Sequence, residues 1–149
     1  MTRLTDDDVK GISNSLEDVN TMLLRTTGMD LKKLAYDAAN VTPAGTDISE
    51  YTVGVVPITS GMGVITRFSE SVADICISLG MEAFVTKTYD ITGLAEAVAH
   101  KPEIIFLADD YEFIAYNTKA VAYANNSHCT AAGYVSALNG ACGGVLGKN

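Results

Sequence analysis

Basic residues, cysteines and long apolar runs are all scarce in this 149-residue chain. Ten Lys and Arg stand against eighteen Asp and Glu, which gives a formal net charge of −8. Because nucleic-acid binding needs clustered basic side chains to contact phosphates, this balance argues against a nucleic-acid partner. No apolar run approaches the ~18–20 residues of a membrane span, and the acidic N-terminus lacks the apolar core of a signal peptide. We therefore expect a cytoplasmic domain with no membrane partner.

Cysteine and histidine offer little chemistry. Cys76, Cys129 and Cys142 are odd in number and widely spaced, which excludes a disulfide framework and fits a reducing compartment. His100 and His128 lie far apart and show no metal-ligand spacing, so we expect no metal site. His128 and Cys129 are adjacent, and neighbouring residues of a helix do not face one another, so no thiol nucleophile is predicted there.

The first 45 residues predict a pair of helices. Thr5 followed by Asp8 is typical of a capped helix start, and apolar residues recur from Val9 to Leu23 at three- and four-residue steps. Asp30 would cap a second helix over Leu31–Ala39.

From about residue 50 to 140, strand and helix patterns alternate. Apolar, β-branched runs predict strands at 52–58, 82–86 and 104–108, and helices are predicted over 64–79, 90–99 (capped by Asp90 or Thr92) and 129–138. This order predicts an α/β fold, with a parallel sheet covered by helices on both faces and preceded by the helical pair. The segment 111–126 is ambiguous, because asparagines interrupt its apolar residues.

A small-residue turn, Thr59–Gly63, follows the first strand. Ligands of parallel α/β sheets bind at the carboxyl ends of the strands, and free N–H groups in such a turn favour an anion. Either Ser60 and the backbone hold a ligand carboxylate, or the glycines only allow close helix packing. The turn begins like a dinucleotide fingerprint, but Thr66 replaces the third glycine and the ribose-binding acid is missing, so we expect no NAD binding here.

Polar residues follow the later strands. Asp109 and Asp110 end the third strand, at the same sheet edge as Ser60 if the sheet is parallel. Asp109 would either bind a ligand ammonium group or cap the segment 111–116, whereas Asp110 is interpreted as a cap or a solvated residue. Asn126, the second of an Asn pair, would either form a turn or orient a polar ligand.

An ordered set of short segments resembles a known family. The segments are Ile12–Asn14, Leu24–Asp30, Val56–Gly63, Phe84–Thr86, Ala108–Asp110, Ala124–Asn126 and Cys129–Thr130. In this order and spacing, and over nearly its whole length, the chain is similar to the N-terminal half of the PylD family of pyrrolysine biosynthesis dehydrogenases. No single segment is diagnostic, but the ordered set is.

The resemblance implies an NAD-dependent dehydrogenase acting on lysine-Nε-3-methylornithine. In the family, the terminal amine carbon of the ornithine part loses a hydride to NAD, and condensation with the neighbouring amine closes the pyrroline ring of pyrrolysine. The family's proteins continue into a Rossmann domain that binds NAD. Since this chain stops at Val145–Asn149, we expect a single substrate-side domain over residues 1–149, with 140–149 as the start of a linker. The Rossmann domain and its cofactor would be absent, and the chain alone inactive.

The resemblance also implies substrate contacts at four positions. Ser60, Asp109 and Asn126 fall on matching segments, and Leu4 matches a lid within residues 1–45 that closes over the substrate and excludes water. No residue is assigned as catalytic. Two other interpretations stay open: a freestanding module that binds an amino acid without catalysis, and a structural domain that docks onto a separate Rossmann protein. A homodimer is also left open.

Overall fold

The computed structural model describes residues 4–144, and this part of the chain carries six α-helices and five β-strands. In chain order they are α1 (Asp6–Val9), α2 (Ile12–Thr27), α3 (Leu31–Ala38), β1 (Thr52–Pro57), α4 (Phe68–Ser78), β2 (Glu82–Val85), α5 (Asp90–Ala99), β3 (Ile104–Ala108), β4 (Phe113–Asn117), β5 (Ala122–Asn125) and α6 (Asn126–Cys142). The predicted linker residues Val145–Asn149 lie outside the described residues.

The described residues divide into two compact units. Residues 4–14 and 48–126 form the sheet unit, which contains α1, all five strands, α4 and α5. Residues 15–47 and 127–144 form the helical unit, which contains most of α2, α3 and nearly all of α6. The single-domain assignment over residues 1–149 stays a prediction.

The sheet has the strand order β2-β1-β3-β4-β5. β1 runs parallel to both neighbours, with Val55 opposite Val85 of β2 and Phe106 of β3. β3, β4 and β5 are joined by antiparallel pairings. The α/β fold class and the three parallel strands are confirmed. The two antiparallel strands occupy the segment 111–126, whose pattern was ambiguous.

Helices cover both faces of the sheet. Val53 and Val55 point to one face, where they pack in a buried cluster with Val72 and Cys76 of α4. Alternate residues of a strand point to opposite faces, and Val56 accordingly joins Ile105 and Ala97 of α5 in a second cluster. The predicted two-sided arrangement is therefore confirmed.

The N-terminal helices are confirmed, with a break in the first. Thr5 and Asp8 form a reciprocal capping box, and Asp30 caps α3 by accepting from the Lys33 N–H at 2.7 Å. The helix predicted to run through Val9 is interrupted because Lys10 is extended and Gly11 adopts φ +95°. This left-handed backbone suits glycine and divides the helix into α1 and α2.

One predicted helix start and one predicted helix cap were wrong. The helix predicted from Val64 begins at Phe68, because Arg67 has left-handed backbone with φ +64°. The helix over Asp90–Ala99 begins where predicted, but no side chain caps it; the Asp90 carboxylate instead accepts from Thr59.

The last predicted helix was too short at both ends. α6 runs from Asn126 to Cys142 rather than from 129 to 138, so Asn126 is helical and not part of a turn. Gly140 lies inside this helix, and its missing side chain makes room for neighbouring residues. A Cβ there would lie 2.7 Å from both the Met29 Cε and the Thr27 carbonyl oxygen.

The helical unit is held by side-chain hydrogen bonds as well as packing. The Tyr36 hydroxyl donates to the Thr46 carbonyl at 2.7 Å, and the Ser136 hydroxyl of α6 donates to the Asp37 carboxylate of α3 at 2.5 Å. Tyr36 and Ser136 are both buried. These bonds pair the polar groups that burial would otherwise leave unsatisfied.

Candidate functional site

A cavity of about 280 Å³ opens at the carboxyl ends of β1 and β3, within the sheet unit. This is the edge at which parallel α/β sheets bind ligands. Most of the lining is apolar: Leu4, Val55, Val56, Pro57, Ile58, Val64, Ile65, Phe68, Phe106, Leu107, Ala108 and Phe113. The polar side chains that line it are Ser69, Asp109, Asp110 and Asn126.

Three aromatic rings build one wall of the cavity. Phe113 of β4 meets Phe68 of α4 edge-on, with ring centroids 5.5 Å apart, and lies 5.7 Å from Phe106 of β3. Offset and edge-to-face ring pairs of this kind add to the stabilisation from burial alone. The wall is therefore an apolar surface, suited to the methylene groups of a ligand.

The loop after β1 is held by the chain's own carboxylates. The N–H of Thr59 donates to Asp90 at 2.7 Å, and the N–H of Met62 donates to Asp110 at 2.6 Å. The backbone N–H groups of this loop do bind carboxylates, but these carboxylates are the side chains of Asp90 and Asp110. A carboxylate or pyrophosphate ligand at these N–H groups would meet two negative charges. The loop therefore does not fit a dinucleotide, and the expectation that it binds no NAD stays a prediction.

Gly61 is matched to the Asp110 carboxylate. The glycine has φ +71°, which other residues rarely adopt. A Cβ at this position would lie 2.0 Å from the Asp110 Oδ2 atom, which is too close for any contact. The loop glycine thus lets the carboxylate approach the backbone, and larger residues at 61 would push Asp110 from its place at the cavity.

Asp109 closes the turn between β3 and β4. Its Oδ1 atom accepts from the N–H groups of Tyr111 and Glu112, both at 2.8 Å, and its own N–H donates to the Glu112 carbonyl at 2.9 Å. The Glu112 and Tyr111 bonds lower the pKa of the Asp109 carboxyl. The carboxylate therefore stays ionised at neutral pH, where it can attract a cation.

Other side chains hold the Asp109 turn and the segment between the loop after β1 and α4. The Asn125 amide of β5 donates to the Glu112 carboxylate, next to the Asp109 turn. At the other side, Asp6 of α1 accepts from the Thr66 N–H at 2.9 Å and from its hydroxyl at 3.3 Å. These contacts fix both the β3–β4 turn and the segment leading into α4.

The structure brings three of the four predicted contact residues to one cavity. Leu4, Asp109 and Asn126 line it, whereas Ser60 is exposed on the loop and is not among the lining residues. Their roles as substrate contacts stay predictions.

Sequence reasoning missed Ser69, a lining residue. It lies in the first turn of α4, but the predicted helix started four residues too early and placed it inside the helix. Had the helix been predicted to start at Phe68, Ser69 would have been placed in its first turn, near the carboxyl end of β1.

Other kinds of site find no support within residues 4–144. No group of three or more His, Cys, Asp and Glu side chains in this range could hold a metal ion. None of the helices described there has the length and apolar character needed to cross a membrane. Cys76 lies on the buried face of α4, and that burial raises the pKa of its thiol to about 11, as expected for a core cysteine.

Comparison with known proteins gives consistent matches. A family model described as the pyrrolysine biosynthesis protein PylD, N-terminal domain, matches residues 8–124. Two relatives, each called pyrrolysine synthase, come from Methanosarcina acetivorans and Methanosarcina barkeri. Each is 39% identical over 130 residues, covering 87% of this chain and 48% of the relative. The chain thus spans about half the length of the curated relatives it matches.

Proposed function

Because the chain belongs to the family of the pyrrolysine biosynthesis protein PylD, N-terminal domain, we propose that it is the substrate-binding half of a pyrrolysine-forming enzyme. The proposed substrate is lysine-Nε-3-methylornithine, and the proposed reaction is oxidation of its terminal amine carbon followed by ring closure to pyrrolysine. NAD would accept the hydride, and no residue from 4 to 144 is assigned to hold it. The proposal concerns binding by this chain rather than turnover.

The observation that carries this proposal is the pairing of an apolar wall with an acidic edge. The substrate is a long aliphatic chain with two ammonium groups on the ornithine part and an amino-acid head on the lysine part. Phe68, Phe106 and Phe113 offer surface for methylene groups, and Asp109 and Asp110 offer two carboxylates at one edge of the same cavity. A substrate without cationic groups would gain nothing from that edge.

Asp109 is the carboxylate we assign to a substrate ammonium. It lines the cavity and is ionised at neutral pH. Both of its turn hydrogen bonds fall on Oδ1, and an asparagine side-chain oxygen can accept the same two bonds. Asp109→Asn therefore removes the charge while keeping the turn.

Calorimetric titration with lysine-Nε-3-methylornithine tests the assignment. A hydrogen bond to a charged group is worth about 1.5–3 kcal/mol, so Asp109→Asn should weaken binding about ten- to a hundredfold. Asp74→Asn removes one negative charge from α4 at a residue outside the cavity lining, and it should change affinity less than about twofold. Thermal unfolding of each variant checks that the fold is kept.

Asp110→Asn distinguishes the two neighbouring carboxylates. If Asp110→Asn weakens binding and Asp109→Asn does not, the ammonium contact has been assigned to the wrong residue. Failure of the unaltered chain to bind the substrate would contradict the proposed function itself.

A further inference from the structure

Ser69 is a buried polar residue for which the described part of the chain offers no hydrogen-bond partner. It is 5% exposed, lies second in α4 and lines the cavity. Its side chain makes no hydrogen bond to any residue in the described range 4–144. Every fully buried side-chain nitrogen or oxygen of the described residues has a partner, so the Ser69 hydroxyl keeps some accessible surface. The cavity is where that surface can meet a ligand.

Burial makes this hydroxyl costly unless something binds it. An unpaired hydroxyl in largely apolar surroundings loses stability relative to a hydrogen-bonded one. Phe68, Phe106, Phe113 and Val55 line the same cavity and offer no polar side-chain atom. A ligand with a polar atom opposite Ser69 would recover that loss.

The charges around Ser69 select a neutral acceptor. Arg67 gives α4 no side-chain cap, so the positive end of the helix lies beside Ser69 and disfavours an ammonium group. Asp109 and Asp110 line the same cavity and disfavour a carboxylate. A carbonyl oxygen accepts a hydrogen bond and carries no net charge, so it satisfies both conditions.

We propose that Ser69 donates a hydrogen bond to an amide carbonyl oxygen of the ligand, within the apolar part of the cavity. The inference rests on the proposed function for its specific substrate: in lysine-Nε-3-methylornithine, the carbonyl is that of the amide joining the two amino acids. Ser69 then selects an acylated lysine over a free one, while the acidic edge holds an ammonium group.

Substitution at two matched serines tests this contact. Ser71 lies on the same helix, is 4% exposed and is not among the residues lining the cavity. By calorimetry, Ser69→Ala should weaken binding of lysine-Nε-3-methylornithine about three- to tenfold, the worth of a neutral hydrogen bond. Ser71→Ala should change it less than about twofold. Equal effects of the two substitutions would overturn the proposal.

An analogue without the carbonyl oxygen identifies the bonded atom. When a trans-alkene replaces the amide, the unaltered chain should bind about three- to tenfold more weakly, and Ser69→Ala should cause no further loss. If Ser69→Ala weakens both ligands by the same factor, the hydroxyl does not contact the carbonyl.

A small amide separates this inference from the proposed function. N-butylacetamide, followed by NMR on the labelled chain, should shift the amide signals of Ser69 and Phe106, and Ser69→Ala should abolish these shifts. If this holds while lysine-Nε-3-methylornithine does not bind, the proposed function fails and the Ser69 site stands. Absence of the shifts in the unaltered chain, or tighter binding of butanoate than of the amide, would overturn the Ser69 proposal.

Discussion

β1 and β5 belong to one sheet but are specified in different ways. Five of the six β1 residues are buried, between parallel neighbours and under helices on both faces. In β5, Ala122, Tyr123 and Ala124 are exposed, and the strand pairs with β4. A buried strand needs a continuous apolar run, whereas an exposed strand depends on the turns that bring it to its partner.

Polar side chains make those turns on the antiparallel side of the sheet. Asp109 accepts two backbone N–H groups between β3 and β4. Asn117 accepts two more between β4 and β5, from Lys119 at 3.0 Å and Ala120 at 2.8 Å. Asp and Asn commonly stabilise turns in this way. The cavity lies at the ends of β1 and β3, beside the Asp109 turn. The Asn117 turn lies at the opposite edge of the sheet, because Asn117 pairs with Ile104 at the start of β3.

Truncations of one side chain in each region should differ most in their effect on the free energy of unfolding. Ile105 is 2% exposed and packs with Val56 and Ala97, so Ile105→Ala should lower the free energy of unfolding by about 2–5 kcal/mol. Tyr123 of β5 is 67% exposed, and Tyr123→Ala should cost about 1 kcal/mol or less.

Urea denaturation measures both truncations. The slope of free energy against urea concentration should stay unchanged in each variant, which shows that the same structure unfolds. Similar losses at the two positions would break the distinction between the buried and exposed strands.

Acid should weaken the loops held by carboxylates. The Glu96 carboxylate accepts from the N–H groups of Lys87 and Thr88 and from the Thr88 hydroxyl, and the Lys87 bond is the main reason that its pKa is lowered. A carboxyl group with a lowered pKa in the folded state stabilises the protein above its unfolded-state value, near 4.5 for Glu. That stabilisation is lost as the pH falls through the folded-state value.

Glu96→Gln should therefore reduce the fall in unfolding free energy between pH 6 and pH 3. Glu82→Gln, at the exposed start of β2, removes one carboxylate outside this loop and serves as the matched control. Chemical denaturation at half-unit pH steps gives both profiles. A Glu96→Gln profile that falls as steeply as that of the unaltered chain would show that this carboxylate does not stabilise the loop.

The same contrast explains how far the sequence could be interpreted. The apolar runs of β1, β2 and β3 stood out because burial on both faces requires them, and the helices between them followed from their apolar periodicity. β4 and β5 did not stand out, because Asn117 and Asn125 act through contacts with backbone or with distant side chains. Sequence patterns carry no signal for a contact such as that of Asn125 with Glu112, which lie 13 residues apart.

The candidate site was predicted in part for the same reason. Asp109 could be placed at the cavity because the end of β3 could be predicted. Asp90 could not be assigned to Thr59, since 31 residues separate them and only the folded sheet unit brings them together. Ser69 was missed because α4 starts only after Arg67, which has left-handed backbone. No sequence pattern predicts this conformation at an arginine.

NMR titration of the labelled 149-residue chain with lysine-Nε-3-methylornithine locates the substrate-binding surface. If the cavity at the ends of β1 and β3 holds the substrate, the amide signals of Val55, Phe106 and Asp109 should shift with a single saturating dependence on ligand. The exposed residues of β5 should shift less. No saturable change, or changes that avoid the cavity and fall on other surfaces, would show that the cavity is not the binding site.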